Sequence, residues 1–166
     1  LPLSTIKKRL MQDFVHLHVH SEYSILDGQA AIEKLVDKAI ADNMKGIAIT
    51  DHGNMMAIKE FFNYVSKKNA KKSEEEKFKP IIGCETYIVA DRLVKNKDTE
   101  RRHHLILLAK NATGYHNLIK LVSMGFTEGS YYGKPRIDHK ILAEHHEGII
   151  CCSACLGGEV PQLIKN

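Results

Sequence analysis

Three histidines stand at every second position in "VHLHVHSEYSILDG", residues 15–28, and Asp27 follows beside a glycine. In a β-strand alternate side chains share a face, so His16, His18 and His20 would line one side and Val15, Leu17 and Val19 the other. Imidazoles at that spacing suit a metal ion. Further donors follow: Asp51–His52 in "AITDHGNM", Glu85 in "IIGCETYI", His104 in "RRHHLILLA" and Cys155 in "CCSACLGG". Each alone has an ordinary role open to it: a helix N-cap, a carboxylate on an exposed strand face, a surface histidine, a small buried hydrophobe. Together they repeat one arrangement, an apolar strand ending in imidazole, carboxylate or thiolate. That mixture is what zinc, manganese or iron coordinate. Gly-rich phosphate loops and nucleophile elbows are absent, and the "GGE" at 157–159 lacks the rest of either fingerprint.

The elements that must position these donors alternate between strand and helix. "FVHLHV" reads as a first strand, and "AIEKLVDKAIADNMKG" as a helix with Ile32, Leu35, Val36, Ala39 and Ile40 on one face and Gly46 just past its end. "GIAIT" is a short buried strand. "MMAIKEFFNYVSKK" repeats the helical spacing through Ile58, Phe61, Phe62 and Val65. After a charged loop come strands at "PIIGCETYIVA" and "HLILLA", helices at "GYHNLIKLVS" and "DHKILAEH", a strand at "GIICCSA" and a helix starting at "EVPQLIKN". Such repeats predict an α/β protein with a mainly parallel sheet. An open doubly wound sheet and a β/α barrel both fit the periodicity. The placement of His20, Asp51–His52, Glu85 and Cys155 at or just beyond strand carboxyl ends favours the barrel, which delivers side chains to one rim.

Composition sets the class. The chain has 166 residues, 43% hydrophobic and 27% charged, enough for a buried core in one soluble domain. No apolar run approaches the roughly 18 residues that would span a bilayer. Residues 1–10, "LPLSTIKKRL", lack the order of a signal peptide and read as an extension before Met11. A net charge of +4 is compatible with a nucleic-acid partner. The lysines at 67, 68, 71 and 72 beside "SEEE" read as a solvated loop. Cysteines at 84, 151, 152 and 155 form no secreted-type framework, which implies a reducing, cytoplasmic setting. A lone Cys-x-x-Cys at 152–155 specifies neither a zinc ribbon nor a redox site.

The stretches "HLHVHSEYSILDG", "AITDHGNM", "IIGCETYI", "HHLILLAKNATGYHNLIKLVS", "YYGKPRID" and "HEGIICCSACLGGEVPQLI" resemble the amino-terminal PHP (polymerase and histidinol phosphatase) domain of bacterial DNA polymerase III alpha subunits. His-x-His and Asp-His are common to PHP domains, whereas "LLAKNATGYHNL" and "GKPRID" are specific to the polymerase branch. The resemblance runs over 11–166 and implies a distorted seven-stranded (β/α)7 barrel, present here as an incomplete part of about five strands. It implies a divalent metal cluster of up to three ions (zinc, manganese or iron). His18 and His20 would hold the first, Glu85 would bridge first and second, His104 and Cys155 would complete the second, and Asp27 and His52 would hold the third. His16 and Asp51 fall to packing or the surround of the ligands, and His103 is left out.

The family's later Asp-x-His motif does not occur after Cys155, so the domain reads as truncated on its C-terminal side and lacks two ligands of the set. The implied reaction of the intact domain is 3′–5′ exonucleolytic hydrolysis of DNA by a metal-bound hydroxide, with no side chain assigned as catalytic. These residues alone would then have weak or no activity. A non-catalytic module that stabilises the polymerase and docks a proofreading subunit is the alternative, and a small-molecule phosphatase a third. The implied partners are DNA, the remainder of the alpha subunit (a nucleotidyltransferase) and the proofreading subunit, with no membrane.

Overall fold

Apolar residues three and four apart, such as Ile32, Val36 and Ala39 or Ile58, Phe61 and Val65, can be buried together only on helices. The computed structural model, which describes residues 14–96 and 101–165, places them so. The expected extension at 1–10 lies outside the described residues. Residues 14–49 with 56–81 form one compact unit, and 50–55 with 82–165 form a second.

In the first unit, helix α1 (Ile32–Ala41) packs on strand β1 (Gly46–Ile49) and on helix α2 (Ile58–Asn69). Asn43 ends α1 in the left-handed region at φ 60°. Its N–H donates to Ile40 O and that of Met44 to Ala39 O, both at 3.0 Å, the paired bonds of a left-handed C-terminal cap. The helix therefore stops before Gly46. That glycine serves a close approach instead, because a Cβ there would stand 2.5 Å from Lys79 O on the neighbouring strand. The charged loop carries one 3-10 turn, Glu74–Glu76, closed by a Ser73–Glu76 capping box.

The expected first strand is not formed. Residues 14–20 are irregular, and Leu17, placed on the apolar side, is 44% exposed. Alternation fixes facing, but a strand also needs a ladder. Within the unit, Ala48 N–H donates to His16 O at 2.9 Å, and no ladder of the described residues extends that bond.

Strand β2 (Lys79–Val89) begins in the first unit and continues into the second. The second unit adds β3 (His103–Ala109), helix α3 (Ala112–Thr127), β4 (Arg136–Asp138), α4 (His139–Glu144), β5 (Ile149–Cys152) and α5 (Glu159–Lys165). β2 and β3 are antiparallel, with Glu85 opposite Ile106 and Tyr87 opposite His104. β3 and β5 are also antiparallel, and β4 runs parallel to β2. The fold is α/β with mixed pairing, which corrects the mainly parallel expectation. No helix separates β2 from β3 among the described residues, so no helical crossover forces them parallel. β4 escapes a period-2 reading because two of its three residues are charged, yet all are buried.

Cys84 and Ile88 point from one face of β2 into a core with Leu107, Leu118, Leu121, Ile137 and Ile141. Beside it lies a buried charge network. Arg136 is 0% exposed and donates to three backbone carbonyls: Gly129 at 2.7 Å, Arg92 at 2.8 Å and Val94 at 3.1 Å. Asp138 caps α4 by accepting from Ile141 N–H at 3.0 Å and pairs with the Arg92 guanidinium at 2.9 Å. Burial pushes the Asp138 carboxyl up, but the N–H groups of Ile141 and Arg92 and the Arg92 guanidinium outweigh it and leave it below its ordinary value. Asp138→Ala is therefore expected to lower the unfolding free energy by roughly 2–4 kcal/mol at neutral pH, as cap and ion pair are lost together. A depressed carboxylate contributes fully above its unfolded value and loses that contribution as pH falls through the lower folded one. Urea denaturation should show the gap between wild type and variant closing only below the ordinary value of 3.8.

Candidate metal centre

The face of β2 opposite the core carries Glu85 and Tyr87. Glu85 is 1% exposed, and an ionised carboxylate so buried needs close polar partners. Two are imidazoles: Nδ1 of His52 is 3.0 Å and Nδ1 of His104 3.1 Å from the same oxygen, Oε1. Cys155 Sγ lies 3.5 Å from His104 Nδ1 and accepts from Gly157 N–H at 3.4 Å.

Backbone bonds bring these groups together. Glu85 N–H donates to Asp51 O at 3.1 Å and Gly53 N–H to Glu85 O at 2.8 Å, which ties residues 51–53 onto β2 beside Glu85. His104 N–H donates to Gly157 O at 3.3 Å, and this fixes the loop that carries Cys155. Because β3 is antiparallel to β2, His104 near its amino end faces Tyr87 near the carboxyl end of β2. Glu85 is mid-strand, which corrects its expected place at a carboxyl end, whereas Asp51–His52 follow β1 and Cys155 follows β5 as expected.

The first unit carries the remaining expected ligands. His18 and His20 approach edge to face, with Nε2 atoms 3.1 Å apart, and Ser24 Oγ is 3.4 Å from His20 Nδ1. Asp27 is exposed on a turn in which its N–H donates to Ser24 O at 3.0 Å. Gly28 closes that turn where a Cβ would collide with Ser21 O, at 1.8 Å. His16 rests against Phe14, and His103 reaches Gly157 O at 3.4 Å.

Taken pair by pair, these separations are those of two donors on one ion, and equally those of ordinary hydrogen bonds. A tetrahedral ion with bonds of about 2.0–2.3 Å sets its ligand atoms roughly 3.3–3.8 Å apart. An octahedral shell at such lengths sets neighbours roughly 2.8–3.3 Å apart. The oxygen–nitrogen, sulfur–nitrogen and nitrogen–nitrogen spacings above fall within those windows. Cys84 is adjacent to Glu85 in sequence, yet burial, with the charges of Asp51 and Glu85, pushes its thiol far up and keeps it a core residue. Cys155 is exposed and carries the accessible thiol.

The family model described as "PHP domain" matches residues 16–166. The chain belongs to the PHP family. It is 49% identical over 154 residues to the DNA polymerase III subunit alpha of Borreliella burgdorferi, covering 91% of this chain and 13% of that protein. The same-named subunits of Treponema pallidum and Helicobacter pylori are 46% and 48% identical, over 91% and 89% of this chain and 12% and 11% of theirs. This PHP chain thus spans about one eighth of its relatives and is homologous to their N-terminal part.

The sequence reading missed how Tyr87 and Gly53 serve the PHP site. Tyr87 lies two residues from Glu85, a period-2 signal that was legible. Gly53 sits at φ +63°, where an added Cβ would meet Pro135 Cγ at 2.7 Å and Tyr87 Cε2 at 3.1 Å. Gly53→Ala should therefore lower the unfolding free energy by about 1–3 kcal/mol in urea melts, by combining a strained backbone with a clash.

Proposed function

We propose that this PHP domain forms the amino-terminal part of a replicative DNA polymerase alpha subunit and carries a metal-dependent phosphodiesterase centre acting 3′–5′ on DNA. The observation that carries this reading is a buried Glu85 carboxylate facing two imidazole nitrogens, with an accessible thiol beside them. In this reading His52, Glu85, His104 and Cys155 hold divalent metal in one unit, and His18, His20 and Asp27 supply ligands in the other. Bound divalent metal would neutralise charge on the phosphodiester and acidify a water molecule. The chain's own part is to fix the ligand atoms. Glu85, held by the β2 backbone, sets the positions of both imidazoles, and Gly157 N–H orients the sulfur of Cys155. The five strands would belong to a distorted seven-stranded barrel. Relatives named as polymerase subunits support DNA as substrate and the remaining alpha subunit as partner, and the same reading takes in a cytoplasmic setting and a proofreading subunit. No helix among the described residues is long and apolar enough to cross a membrane.

Two measurements test this reading. Titration with Co2+ should give thiolate-to-metal charge-transfer absorption that Cys155→Ser abolishes, while Cys84→Ser leaves it intact. In the full-length polypeptide that contains this chain, without the proofreading subunit, release of 3′-terminal nucleotides should fall roughly 100-fold on Glu85→Ala, because both imidazoles lose their positions. Unchanged release would sink the assignment. Metal uptake with no hydrolysis would favour the non-catalytic docking module, and preference for small phosphomonoesters would favour a phosphatase.

A further inference from the structure

Tyr87 gathers a second set of side chains beside Glu85. Its ring is 5% exposed, stacks with His52 at a centroid distance of 6.4 Å and meets His104 edge-on at 5.7 Å. Lys134 Nζ stands 5.2 Å from the ring centroid and donates to the Tyr87 hydroxyl at 3.3 Å. The Arg102 guanidinium lies 5.9 Å from the same centroid. Neither cation has a carboxylate partner among the described residues. Two unneutralised positive charges therefore share one aromatic ring with the carboxylate–imidazole group.

The backbone that presents Lys134 is fixed. Tyr131 and Lys134 exchange N–H to carbonyl bonds, each 3.1 Å, around Tyr132 and Gly133 at φ 48° and 69°. Two consecutive positive φ values mark the tight I′-type hairpin turn. Glycine adopts that region freely, whereas a tyrosine there is strained and must be held by its surroundings. Tyr132 packs edge-on against Tyr131 at 4.7 Å, and the buried Arg136 guanidinium lies 4.9 Å over the Tyr131 ring. Pro135, directly after Lys134, closes against Gly53 beside His52. Hydrogen bonding to Tyr87 alone needs no charge, since an amide would serve. A charge on a rigid turn beside a phosphodiesterase centre suits the non-bridging oxygens of a phosphate.

We propose that Lys134, with Arg102 on the same ring, binds the phosphate backbone of a single DNA strand and positions it against the His52–Glu85–His104 group. This rests on the phosphodiesterase reading above. Lys134 is thus a positioning residue, and the test separates it from both a structural role and the hydrolysis itself. Binding of a fluorescent single-stranded oligodeoxynucleotide to the full chain is measured in chelator, so that turnover plays no part. Lys134→Gln keeps a donor for the Tyr87 hydroxyl but removes the charge. It should weaken binding roughly 10-fold and reduce the slope of log affinity against log salt by about 0.7. Lys134→Arg should restore both, and Arg102→Gln should lower the slope similarly. Matching thermal melts would exclude misfolding, and Lys134→Met serves as a second variant if the first melts early. Equal affinity and slope in wild type and Lys134→Gln would overturn the proposal, as would a wild type that binds no oligonucleotide. Loss of binding in the variant when even the wild type releases no nucleotide would uphold Lys134 and refute only the exonuclease reading.

Discussion

A carboxylate buried to 1% exposure governs the second unit. Removing such a charge from water costs several kcal/mol unless polar partners replace the lost hydration. Glu85 meets that demand with His52 and His104, delivered by residues 50–55 and by β3. The bonds that secure these partners, from Glu85 N–H to Asp51 O and from Gly53 N–H to Glu85 O, are also the bonds that attach residues 51–53 to β2. On the opposite face Cys84 and Ile88 anchor the same strand in the apolar core. One strand thus separates a dry side from a polar one, and its pleat keeps them apart.

The elements legible in the sequence were those whose periodicity is enforced by burial. α1, α2, β2, β3 and α3 were expected nearly as observed, because their apolar residues must face a neighbour. Two strands were misjudged, for opposite reasons. Residues 14–19 alternate without a ladder to make them a strand, and Arg136–Asp138 form a ladder without alternating. Antiparallel pairing of β3 was equally hidden, since strand direction follows from connections rather than from residue types. Among the candidate site residues, His52, Glu85, His104 and Cys155 were visible by chemical type. Tyr87 was overlooked because an aromatic on a strand also suits a core, and Lys134 because one lysine in a turn carries no pattern.

The stretch "YYGKPRID" combines several tasks in a few residues. Its tyrosines and glycine make a strained turn, Arg136 gathers three backbone carbonyls that would otherwise be poorly satisfied, and Asp138 joins a helix cap to an ion pair. A guanidinium stays protonated throughout the range in which proteins are folded, so Arg136 is a constant tie. A carboxylate is not. Acid should therefore loosen the start of α4 before it frees the segment that Arg136 holds.

The contrast between Cys84 and Cys155 gives the molecule two built-in chemical reporters. Cys84 is sealed in the core with its thiol held protonated, so an alkylating reagent reaches it only when the sheet opens. Cys155 stands in reach of the same reagent in the folded chain, with its sulfur directed at His104. Labelling at position 84 would time the opening of the structure, and labelling at position 155 would report on the neighbourhood of His104 in the folded chain.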